Sequence, residues 1–126
     1  MKDSLPIVFQ KIENVAIALL ALFVYAKLGF AWYYIPLLFI AFDMSALGYL
    51  FSTKIGALSY NFVHNYFVPV GALLVAYVSG GIPDWLMFTC LIWIFHIAAD
   101  RLMGYGLKYS DAFTHTHLGT IGRRSK

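Results

Sequence analysis

The stretch DWLMFTCLIWIFHIAADRLMGYGLK, residues 84–108, decides the fold class. Between Trp85 and Ala99 it carries no Asp, Glu, Lys or Arg. A helix rising 1.5 Å per residue needs ~20 such residues to cross ~30 Å of hydrocarbon, so this run reads as a membrane span over about 84–106. Pro83 and Asp84 mark its start. Inside it stand His96 and Asp100, in the setting where an ionisable group is most expensive. At the bilayer centre an Asp costs roughly 2.5–3.5 kcal/mol even on lenient insertion scales, so such residues usually face a bundle interior and form a site. Cys90, the single cysteine, can form no internal disulfide and reads as a small apolar filler.

Three further apolar spans precede this one, over about 5–28, 33–51 and 56–79. Ser4 with Pro6 signals the first start, and Pro36 and Pro69 fall inside spans as potential kinks. The connectors are only a few residues long, which forces neighbouring helices to run antiparallel. The expected fold is therefore all-α: an integral membrane four-helix bundle, up-down-up-down, in one domain over 1–126 with a tail at 107–126. A chain of 126 residues that is 61% hydrophobic and 12% charged lacks the polar surface a soluble domain requires. No cleavable leader, internal repeat or low-complexity segment is evident.

The basic residues orient the bundle. Lys2, Lys11, Lys54, Arg101, Lys108, Arg123, Arg124 and Lys126 fall on one side, and Lys27 alone on the other. The positive-inside rule then puts both termini in the cytoplasm of a multi-pass inner (plasma) membrane protein. Trp32, Tyr33, Tyr34 and Trp85 form an outer aromatic belt, with Tyr105 and Tyr109 near the inner one. The net charge of +3 is read as topology and as affinity of the tail for anionic lipid head groups, not for nucleic acid. The oligomeric state stays open.

Depth brings the ionisable residues together. Asp43 precedes the inner end of its span by about eight residues, roughly 12 Å. His64 follows the inner start of its span by a similar length, and His96 and Asp100 lie near the inner end of theirs. Glu13 reaches the same layer if the first span begins at Leu5. His96 and Asp100, four residues apart, share one helix face, as do Asn61, His64 and Asn65. Neutral imidazole with ionised carboxylate suits a divalent metal such as zinc, manganese or iron. The candidate ligands are Asp43, His64, His96 and Asp100, with His117 added if the tail folds back. Glu13, Asp43, His64 and Asp100 are the candidates for catalytic proton transfer. The structural alternative is a set of buried polar groups bonding helix to helix, worth about 1 kcal/mol each. Arg101 reads as a snorkelling interfacial charge, and His115 as a solvated one.

These residues carry a resemblance. FDMSALGY (42–49), YNFVHNY (60–66), HIAADRLMGYGLK (96–108) and THLG (116–119) resemble the small bacterial integral membrane family catalogued as domain of unknown function 4260. The likeness covers about residues 13–122 and implies fold and topology but no reaction. The order of an acidic motif, a histidine on the next helix and then HisxxxAsp is similar, more distantly, to the membrane-bound metal-dependent hydrolases. There Asp43, His64, His96 and Asp100 match, while Ser45 stands for the second acid and Asn61 for a histidine. Against a related site that holds two metals, that departure implies a single metal or none. Other classes stay open: a small proton-coupled transporter using Glu13, a haem or quinone site on His64 and His96, or a structural membrane subunit.

Overall fold

The computed structural model describes residues 4–122. Lys2, Arg123, Arg124 and Lys126, four of the nine basic residues used to orient the chain, lie outside the described residues. Five α-helices follow one another: α1 (Leu5–Lys27), α2 (Tyr34–Asp43), α3 (Thr53–Val63), α4 (Phe67–Val78) and α5 (Asp84–Met103). A 3-10 helix, Met44–Leu50, continues α2. The tail forms a short antiparallel hairpin, β1 (His115–Thr116) and β2 (Gly119–Thr120), with His115 opposite Thr120.

Helix α5 is the central element. Helix α1 lies antiparallel along it: the Tyr25 ring meets Phe88 near the start of α5, whereas Asn14 bonds Tyr66, whose ring carries Arg101 near its end. The buried residues of α1 are Asn14, Ala18, Ala21 and Tyr25, a single stripe at helical spacing. Small alanines there let the two backbones approach, as membrane helix pairs require without a hydrophobic drive between them. Tyr25, Leu91 and Ile92 centre the apolar core at the far end, and the Tyr25 hydroxyl donates to the Ala31 carbonyl at 2.6 Å. Large apolar side chains cover the outside, among them Leu19, Leu20, Phe23, Leu74 and Val75. Such an inverted surface is that of a protein solvated by lipid.

Two helices, α1 and α5, are long and apolar enough to cross a membrane, and α3 with α4 makes a third if they are taken as one bent span. The four continuous spans expected from hydropathy are thus corrected in two places. The second is shorter, changing from α to 3-10 geometry after Asp43. The 3-10 helix packs on α3 at Gly48 and Gly56, and Ser59 Oγ donates to the Ser45 carbonyl at 2.7 Å. The third starts at Thr53, with Ser52 Oγ accepting from the Ile55 amide at 3.1 Å, and breaks at 64–66 with a bend of 43°. Pro69 has no amide hydrogen to offer the Asn65 carbonyl, which weakens the ladder there.

Side chains close that break. Trp93 Nε1 donates to the Val63 carbonyl at 2.5 Å and Arg101 to the His64 carbonyl at 3.4 Å. Asn65 Nδ2 donates to the Asn61 and Phe62 carbonyls at 2.6 and 2.9 Å, and its Oδ1 accepts from the Val68 amide at 3.3 Å. Non-helical backbone at membrane depth is tolerated only when satisfied in this way.

Candidate metal centre

Asp43 is the last residue of α2, His64 caps the C-terminus of α3, and His96 and Asp100 lie one turn apart on α5. The break after His64 is what frees its ring to turn inward. His64 Nδ1 lies 2.9 Å from the Tyr60 carbonyl oxygen. A carbonyl only accepts, so the Nδ1 proton is fixed there and Nε2 keeps its lone pair. The Tyr60 ring stacks on the imidazole at 3.7 Å, nearly parallel, and Ser45 Oγ stands 3.4 Å from Nδ1. His96 is fully buried against Phe39, whose ring centroid is 4.0 Å away. Its Nδ1 has no partner among the described residues.

The free ends of all four side chains converge. His64 Nε2 is 3.0 Å from His96 Nε2, 3.2 Å from Asp100 Oδ2 and 3.6 Å from Asp43 Oδ1. His96 Nε2 is 3.2 Å from Asp43 Oδ1 and 3.3 Å from Asp100 Oδ2. All four atoms lie within 4.8 Å of one another. Four ligands at ~2.1 Å around one tetrahedral ion stand about 3.4 Å apart, and the observed edges bracket that value. One imidazole proton can serve only one of these acceptors, whereas a single cation serves all four. The residues fit a metal.

The site opens on one side. His64, His96 and Asp100 are buried, but the Asp43 side chain is 53% exposed. A cavity of about 330 Å³ adjoins Asp43, Asp100 and Tyr60 and is walled by Phe39, Ala46, Met103, Tyr105 and Phe113. The Tyr60 hydroxyl lies 3.4 Å from Asp100 Oδ2 and donates to it.

The remaining candidates do not join the group. Glu13 lies on the exposed side of α1, and Asn14 beside it is the residue that turns inward. His117 accepts the Leu107 amide hydrogen on Nδ1 at 2.8 Å; burial and Arg101 nearby both push its pKa down, which suits an acceptor. His115 pairs with Asp111 at 2.7 Å on the exposed hairpin. Arg101 does not snorkel: it lies over the Tyr66 ring and caps the His64 carbonyl.

Lys108, counted in the sequence among the basic residues of the cytoplasmic side, is 4% exposed. Asn61 holds it there, donating to the Lys108 carbonyl at 2.8 Å and accepting its amide at 2.6 Å, as a neighbouring strand would. Its ammonium stands 3.9 Å from the Phe113 ring centroid and 4.6 Å from that of Tyr60. Burial pushes its pKa down to about 8, and Asp100 opposes that shift, so the cation still prevails at neutral pH. The tail bends back to this position because Gly104, in left-handed conformation at φ 95°, ends α5 with Tyr105 bonded to the Asp100 carbonyl and Gly104 to that of Arg101.

Of these residues, Tyr60 had a signal in its sequence, standing four before His64. The burial of Lys108 had none.

Residues 8–121 match the family described as domain of unknown function (DUF4260). The chain belongs to the DUF4260 family. No curated protein and no solved structure matches it. Within the matched span of DUF4260 lie all four converging residues and every residue that lines the cavity.

Proposed function

We propose that this DUF4260 protein is a membrane-embedded, metal-dependent hydrolase with one divalent ion, of zinc, manganese or iron, held by Asp43, His64, His96 and Asp100. The tetrahedral spacing of four lone-pair atoms, three of them on buried residues, carries the reading. A catalytic metal site keeps one position exchangeable. Asp43 has that role: it is the half-exposed ligand and lines the cavity, whereas His64, His96 and Asp100 are the permanent set. A metal bound there supplies Lewis acidity and lowers the pKa of water. Asp43 serves as general base at the cavity edge, and the Tyr60 hydroxyl orients the Asp100 carboxylate. The residue order, which resembles that of the membrane-bound metal-dependent hydrolases apart from Ser45 and Asn61, agrees with the same reading. A transporter built on Glu13 has less support, because Glu13 faces away from the converging group.

Elemental analysis of protein purified in neutral detergent tests the centre. About one divalent ion per chain is expected, retained in Asp43→Asn at reduced affinity. Chains that stay metal-free after loading would overturn it.

We further propose a four-span, up-down arrangement in the inner membrane, with α3 and α4 as one broken span and both termini cytoplasmic. Lys11, Lys54, Arg101 and Lys108 against Lys27 support it among the described residues. Alkaline phosphatase fused at either terminus should be inactive, and fused within 28–32 active; an active C-terminal fusion refutes the orientation.

A further inference from the structure

Resting on that metal centre, we propose that the cavity beside it binds the anionic head group of an amphiphile, with Lys108 as the cation that selects it. The argument is one of charge. A divalent ion balances Asp43 and Asp100, which leaves Lys108 and Arg101 uncompensated. Among the described residues no carboxylate pairs with either, and Lys108 Nζ is buried without a hydrogen bond. A buried cation without a counter-ion is expensive and is generally kept for a ligand or neutralised. Here it is kept against Tyr60, Tyr105 and Phe113, three rings that also wall the cavity. Aromatic faces hold the charge in place without cancelling it. Lys108 does not itself line the cavity; its ammonium lies behind the Tyr60, Tyr105 and Phe113 rings. Its field, added to that of the metal, favours an anion there, at a volume suited to a head group and not to a whole lipid.

An apolar body completes the description of the ligand. Phe39, Ala46 and Met103 give the cavity an apolar wall, and Ile40, Met44 and Leu47, each next to a lining residue on α2 and the 3-10 helix, are more than half exposed. An acyl or alkyl chain leaving the cavity would therefore meet apolar surface and then lipid. A free inorganic anion would use the charge and leave this wall unused.

The test uses full-length, zinc-loaded protein in a neutral detergent, titrated calorimetrically with hexyl phosphate, inorganic phosphate and hexyltrimethylammonium. Hexyl phosphate should bind at least tenfold more tightly than either of the others. Lys108→Met keeps the volume and removes the charge. It should weaken hexyl phosphate at least tenfold, leave zinc content unchanged and hold or raise the thermal midpoint, since an unpaired buried charge has been replaced by an apolar group. Equal binding by Lys108→Met and wild type overturns the anion site and leaves the metal centre standing. Equal binding of inorganic phosphate overturns the amphiphile, and equal binding of the ammonium probe overturns the charge selection. A Lys108→Met protein that loses zinc or stability makes Lys108 a structural residue and refutes the proposal. Wild-type protein that takes up no zinc refutes the metal centre itself.

Discussion

His96→Ala is expected to empty the metal centre. His96 Nε2 lies within 3.3 Å of a donor atom from each of the other three residues, so it is the point at which the whole set meets. Losing even a residue that merely supports a ligand typically costs 10–100-fold in metal affinity, and here the ligand itself goes. At least a hundredfold loss is expected, read as no metal after dialysis. The imidazole is fully buried, so its removal also leaves a void against Phe39 and a cost of about 2–4 kcal/mol. His96→Gln, which keeps most of the volume, separates the two effects: it should recover stability without recovering metal. Full occupancy in either variant would eliminate the metal reading. Asp100→Asn should fall between, because it keeps the shape and one oxygen but gives up the charge.

Gly48→Ala should damage both the fold and the site although it touches none of the four ligands. A Cβ at Gly48 would stand 2.2 Å from Ser59 Oγ, 3.0 Å from the Ile55 carbonyl and 3.1 Å from the Gly56 Cα. The serine could turn, but the two backbone contacts require the 3-10 helix and α3 to move apart by a few tenths of an ångström. Overpacking of this kind costs about 1–3 kcal/mol, and the thermal midpoint should drop by at least about 4 °C. The site should suffer as well, since Asp43 enters from the 3-10 side of that contact and His64 from the α3 side. A tenfold loss of metal affinity is expected. Gly71→Ala is the control: its Cβ meets nothing within 4 Å, and alanine is the better helix former. If Gly48→Ala melts and binds like Gly71→Ala, the packing described for the 3-10 helix is wrong.

How much of this could be read from the residues differs by position. His96 and Asp100 were plain, because two ionisable groups one turn apart on an otherwise apolar helix have few explanations. Asp43 and His64 followed from depth, since counting residues along a helix gives height directly. Depth alone misled at Glu13. Height says nothing about angle, and one residue is ~100° of rotation, enough to exchange Glu13 for Asn14 on the inward face. The small residues Ala18 and Ala21 mark that face and point to Asn14 at the correct spacing. The break at 64–66 lay beyond reach for another reason. Pro69 permits it, but its backbone is satisfied by Trp93 and Arg101, some 30 residues on, and no local pattern carries that information. The burial of Lys108 has no local signal either, because the Asn61 amide that holds it belongs to a different helix.

The same break sets an order of assembly. The Val63 and His64 carbonyls take their hydrogen bonds from α5, which follows α3 and α4 in the chain. Until α5 arrives, the bend between α3 and α4 presents bare peptide groups to the bilayer, which hydrocarbon cannot satisfy. The bend between α3 and α4 is therefore satisfied only once α5 has packed against it. Helix α5, which brings two of the four converging residues, is in this sense also the template on which α3 and α4 hold their bend.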